Sequence, residues 1–221
     1  MKEHRNFLRR KSDKKSQSGF SLVELLIVVT IMTVISSISL FYFTGHSSLY
    51  KTQDQASRII DILQLAREKA LSERRTMRVT FDVTTTPATV TLIDETNNAV
   101  VRTERFFEQK DVRNNRRPAN ISTSPIEALP VVDFTYTDTR SIRFMSNGTV
   151  RNALIGASSS VEGVVIFVWQ PDISTGAISD NAKLPTSSRA VTVLGATGAI
   201  RLWAYTATAS GNVWQRNGGA N

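Results

Sequence analysis

Hydrophobic positions follow three different rhythms along this 221-residue chain. The first is unbroken. Residues 25–43 carry no charge and are mostly Leu, Ile, Val, Phe or Met. At 1.5 Å per residue they span roughly 28 Å, about the hydrocarbon thickness of a bilayer. A helix buried in a globular core seldom needs so continuous a run, so this stretch predicts a single transmembrane helix. One carboxylate, Glu24, stands at its N-terminal end.

The second rhythm is helical. Over residues 50–75 the apolar positions are Ala56, Ile59, Ile60, Leu63, Ala66 and Ala70, close to i, i+3, i+4, i+7 spacing. Asp54, Arg58, Asp61, Arg67, Glu68 and Glu73 take the opposite side. No proline interrupts the join with the apolar run, so residues 20–74 are expected to form one spine of roughly 80 Å.

From Met77 the period changes to two. Strands rich in Val, Ile, Thr and aromatics are predicted at 77–83, 89–93, 100–106, 131–136, 141–144, 164–169, 189–194 and 200–205. Asn97 with Asn98, Asn147 with Gly148 and Thr197 with Gly198 mark turns. Two polar stretches, 108–130 (with Pro118, Pro125 and Pro130) and 171–188, are expected to be surface loops. The pattern gives an α+β chain, a long helix on an antiparallel β-sheet head. Its expected parts are a leader at 1–19, the membrane helix and junction at 20–49, the amphipathic continuation at 50–76, the head at 77–209 and a Gly- and Asn-rich flexible tail at 210–221.

Charge refines the picture. The formal net charge is +8, but Lys2, Arg5, Arg9, Arg10, Lys11, Lys14 and Lys15 face only Glu3 and Asp13 within residues 1–19. Most of the excess therefore sits ahead of the apolar run, and the basic balance is poor evidence for a nucleic-acid partner. The positive-inside rule places that leader in the cytoplasm and sends the C-terminal bulk across the membrane. A secretory signal peptide would have a shorter apolar core with a small-residue cleavage site after it. Here the notable small residue, Gly19, comes before. The chain has no cysteine, which excludes a disulfide framework, a thiol nucleophile and a cysteine-bound metal.

The stretch "KKSQSGFSLVELLIVVTIMTVISS" resembles the N-terminal signature of type IV prepilins and type II secretion pseudopilins. Order, spacing and flanking charge all agree over about 30 residues. The resemblance implies that a prepilin peptidase cuts between Gly19 and Phe20 and methylates the new N-terminus at Phe20. It also implies a role for Glu24. A carboxylate near the bilayer interior costs on the order of 3 kcal/mol and needs a partner. The Phe20 ammonium of a neighbouring subunit supplies one, fixing the axial register of packed helices.

A second, looser resemblance covers "SIRFMSNGTVRN", "GVVIFVWQ" and "RAVTVLGATGAIRLW". Their order is similar to that in H-type minor pseudopilins and related minor pilins, the GspH/FimT group. Major pilins often carry a kinking proline in the membrane segment, where this chain has Phe41, and often a C-terminal disulfide loop. Both departures point to a minor subunit.

Catalytic chemistry is not expected. His4 and His46 have no plausible partner for a metal or a proton. Gly148, Gly156 and Gly163 make no phosphate cradle, and Asp94 and Glu95 sit in a predicted turn. Asn120 and Asn147 begin glycosylation sequons of the kind chance often supplies. No cofactor is implied.

Some minor pilins of the resembled group bind DNA through a Gly-Arg-x-Arg-like pattern. Here the matching residues are Gly198, Ala199, Ile200 and Arg201, and the first arginine is missing. Arg113, Arg116 and Arg117 form a basic loop, and Arg216 lies near Trp214. Phosphate contacts and base stacking use such groups.

The expected function is that of a minor pilin that initiates or caps a type IV pilus near its tip. The alternatives are an H-type minor pseudopilin of type II secretion and a DNA-binding minor pilin for DNA uptake. Expected partners are the prepilin peptidase, other major and minor pilins or pseudopilins, the inner membrane and, in the last reading, DNA. The expected location is the bacterial inner membrane, single-pass with a periplasmic head, and then the filament.

Overall fold

The computed structural model describes residues 21–121, 131–153, 161–174, 176–208 and 211–216, with the backbone alone at 40–48, 152, 153 and 212. One helix, α1 (Leu22–Ser72), opens the described chain. The chain divides into two compact units at Gly45, and each is taken by itself.

In the first unit α1 is apolar on all sides. Leu22 is 80% exposed, and every described side chain to Ser39 is likewise open. Three of its hydroxyls are turned inward to the backbone. Thr30 donates to the Leu26 and Ile27 carbonyls at 3.1 and 2.8 Å, Thr33 to that of Val29, and Ser37 to that of Thr33 at 2.8 Å. These bonds satisfy the hydroxyls inside the helix, as an apolar surrounding requires.

In the second unit α1 becomes one-sided. Ala56, Ile59, Ile62, Leu63, Ala66 and Ala70 are fully or almost fully buried, whereas Asp61 and Arg74 face out. Burial of each of Ile59, Ile62 and Leu63 contributes roughly 2 kcal/mol. The helix stops in a Schellman motif. Arg74 takes a left-handed conformation (φ 52°), and the Arg75 amide donates back to the Ala70 carbonyl at 3.3 Å.

Two five-stranded sheets follow. The first has the order β3–β2–β1–β5–β6 and is antiparallel throughout. Its strands are β1 (Met77–Asp82), β2 (Thr89–Asp94), β3 (Ala99–Arg105), β5 (Thr139–Phe144) and β6 (Val150–Ala153). Met77, Val79, Phe81, Val90, Leu92, Ile142 and Phe144 alternate inward and join the helix side chains in one core. The second sheet has the order β10–β9–β8–β7–β4. It comprises β4 (Val131–Asp133), β7 (Gly163–Val168), β8 (Arg189–Val193), β9 (Ile200–Thr208) and β10 (Gly211–Arg216), with only β4 and β7 parallel.

Strand β7 is buried on both faces. Val164, Ile166 and Val168 enter the helix-side core, while Val165 and Phe167 enter a second cluster with Trp169, Ala190, Trp203, Tyr205 and Trp214. The antiparallel head packed on α1 is thus an α+β, type IV pilin-like fold.

Four details differ from the sequence expectation. The strand expected at 131–136 ends at Asp133, because Phe134 and Tyr136 turn into an aromatic group with Phe81. Strand β6 was not expected, since only Val150 and Ala153 of its four residues are apolar. The expected flexible tail is corrected over Gly211–Arg216, which pairs with β9 as β10. Its anchor is Trp214, whose ring lies 5.0 Å from Tyr205 and 5.8 Å from Phe167 between centroids. The two expected surface loops are partly interior: Val112, Arg113, Asn114, Asn115, Ile121 and Ala182 are all buried. Residues 122–130 and 217–221 lie outside the described residues.

Candidate assembly site

Gly19 and Phe20, the residues expected at the processing junction, lie outside the described residues. The description begins at Ser21, whose carbonyl accepts the Leu25 amide at 3.1 Å as the first turn closes. Glu24 lies in that turn, exposed, where the helix leaves amide donors unpaired. A carboxylate there is favoured by the helix dipole, worth about 0.3–1 kcal/mol at an exposed site. Ser21 and Glu24 also have the spacing of a capping box, a local signal that the sequence expectation above did not use.

Leu22–Ser39 is the one candidate membrane span among the described residues. Its side chains have no core of their own, so lipid or other helices must cover them.

The expected basic loop is held differently. Arg113 is only 8% exposed and lies 5.3 Å over the Trp169 ring. Its guanidinium donates to the Asp180 carboxylate at 2.8 Å and to the Ser179 carbonyl at 3.2 Å. Burial lowers its pKa, as does Arg116, while Asp180 acts the other way. Arg116 binds the second Asp180 oxygen at 3.0 Å, and its carbonyl accepts the Trp169 indole N–H at 2.8 Å. Arg117 lies 3.4 Å from Asp133. Arg113 and Arg116 are therefore brought together on Asp180 as a brace between the 108–121 segment and the 171–184 loop, whereas Arg117 pairs with β4. Arg201 is elsewhere, on β9 opposite Thr192.

Asp94 and Glu95 are likewise in ion pairs. Arg75 donates to Asp94 at 2.9 Å, and Arg143 to Glu95 at 2.6 Å. The Thr96 amide and then the Arg75 guanidinium hold the Asp94 carboxyl below its usual range.

Residues 14–40 match the family described as the prokaryotic N-terminal methylation motif. No curated protein and no solved structure matches the chain. The motif indicates a type IV pilin-like or pseudopilin protein and implies processing by a prepilin peptidase and assembly with other pilins. Family members of this kind are structural rather than catalytic. With the exposed apolar helix, the motif indicates membrane anchoring.

Proposed function

We propose that this type IV prepilin-like chain is a minor pilin that initiates or caps a pilus near its tip. One observation carries the reading. The stretch Leu22–Ser39 is apolar and exposed on every side, and it begins just past the Gly19–Phe20 junction with Glu24 in its first turn. In the inner membrane, with the leader cytoplasmic and the head periplasmic, lipid covers that surface. After cleavage at Gly19 and methylation of Phe20, neighbouring helices cover it instead.

Glu24 then meets the Phe20 ammonium of the adjacent subunit. Two opposite charges brought together in a medium poorer in water than the cytoplasm attract more strongly. Each also removes the penalty of leaving the other unpaired. The pair sets register, while the apolar side chains exchange lipid for neighbouring helices. Phe41 at the usual proline position and the absence of cysteine favour a minor over a bulk subunit.

Peptide mass spectrometry of the N-terminus tests this on sheared surface filaments and, separately, on inner membranes. A methylated Phe20 start in the filaments supports the proposal. The same trimmed peptide confined to the membranes favours the type II secretion pseudopilin instead, and an uncut leader removes both readings.

A further inference from the structure

The outer face of the first sheet carries three arginines in a straight cross-strand row. Arg78 on β1 is directly opposite Arg143 on β5, which is directly opposite Arg151 on β6. Directly opposed residues on neighbouring antiparallel strands project from the same face, and like charges so placed destabilise the sheet. Arg78 and Arg143 share one carboxylate, Glu95, at 3.6 and 2.6 Å, and Arg151 has a contact of its own.

The row continues in the other direction as apolar side chains. Arg78 is opposite Ile93 on β2, and Ile93 is opposite Val100 on β3, which is 63% exposed. Beside it runs a row of small hydroxyls, Thr91, Thr80 and Ser141, the last two 2.9 Å apart. The small side chains leave a strip of low relief beside the row, up to the irregularity in the β2–β3 pairing between Leu92 and Ile93.

We propose that this strip docks an acidic amphipathic helix of a partner protein, its carboxylates on the arginine row and an apolar residue against Val100 and Ile93. Strands lie about 4.8 Å apart, so the three arginines span roughly 10 Å. Carboxylates at i, i+4 and i+7 of a helix span about the same distance, at 1.5 Å per residue. Nucleic acid offers regular negative charge but nothing for the aliphatic end of the row, whereas a helix with a leucine one turn from its carboxylates complements both ends. The inference concerns the head alone and holds whether the chain serves a pilus or a secretion filament.

The full-length chain in detergent is titrated with a synthetic capped helical peptide. Its glutamates are spaced four and then three residues apart on one face, with a leucine one turn before them. A short DNA duplex is titrated in parallel, at low and at physiological salt. Arg78→Thr relieves one opposed pair and leaves Glu95 to Arg143; Arg143→Gln is the second variant and Lys183→Gln the control. The expected result is peptide binding weakened about tenfold by Arg78→Thr and by Arg143→Gln. Lys183→Gln leaves binding unchanged, and Arg78→Thr does not lower the melting temperature. The proposal is overturned by no peptide binding by the unsubstituted chain, by equal weakening by Lys183→Gln, or by tighter binding of the duplex with the same dependence on Arg78 and Arg143. A melting temperature clearly lowered by Arg78→Thr also overturns it, since the row is then part of what holds the sheet.

Discussion

The Val150 amide donates to the Gly195 carbonyl at 2.7 Å, and the Val150 carbonyl accepts the Glu162 amide at 3.3 Å. Through Val150 the edge of the first sheet is stitched to the second. Gly195 is pressed against its neighbour at this seam: a Cβ there would lie 2.6 Å from the Glu162 carbonyl carbon and 2.8 Å from the Gly163 nitrogen. Gly195→Ala is therefore expected to cost about 1–3 kcal/mol by overpacking against backbone that cannot swing aside. All three tryptophans are in the head, so tryptophan fluorescence during denaturation of the full-length chain reads this directly.

The brace around Asp180 separates two arginines that are near neighbours in sequence. Arg113→Ala removes a buried hydrogen-bonded cation and its packing on Trp169, an expected loss of about 1–3 kcal/mol. Arg117→Ala removes a longer pair made by a more exposed arginine and is expected to stay within about 0.5 kcal/mol. Equal effects in a denaturant titration would count against the brace.

Arg74 holds a backbone conformation that costs an L-residue about 1–2 kcal/mol. Arg74→Gly keeps the Schellman geometry and is expected to raise the melting temperature by a few degrees. A fall on scanning calorimetry would mean that the arginine side chain contributes more than the strain costs.

Acid sensitivity has a named contributor. The Asp94 pKa is depressed in the folded head by the Thr96 amide and Arg75, so its contribution is complete above the unfolded carboxylate value near 4. That contribution is lost as pH falls through the lower folded value. Asp94→Asn should show a flatter decline of melting temperature on the acid side than the unsubstituted chain.

For Glu24, Glu24→Ala is expected to insert normally and to enter filaments poorly or not at all, as read by immunoblots of sheared filaments against membranes. Unchanged incorporation would leave its place at the helix N-terminus, with the capping-box spacing to Ser21, as the sufficient account.

The large elements were legible because their periods are pure. Residues 25–43 are uncharged and mostly apolar, the second half of α1 repeats at helical spacing, and β1, β2, β5 and β7 to β9 are rich in Val, Ile, Thr and aromatics. What escaped has polar sequence and long-range partners. β10 contains Asn212, Gln215 and Arg216, and its order comes from Trp214 meeting side chains on β7 and β9. The loop arginines read as a surface cluster because Asp180, far along the chain, is invisible to local pattern. The arginine row is hidden for a related reason: Arg78, Arg143 and Arg151 become neighbours only once β1, β5 and β6 are in register.

The membrane half of α1 has no side-chain core of its own. Its backbone is bonded within the helix, and the hydroxyls of Thr30, Thr33 and Ser37 return to carbonyls about one turn earlier. On the assembly reading, the passage from lipid to filament is therefore a change of solvent and not a refolding. No internal hydrogen bond need break, and the two surroundings are alike in polarity. Work is then spent mainly on lifting the charged end and the head, and the oily cylinder between them is close to indifferent to where it rests.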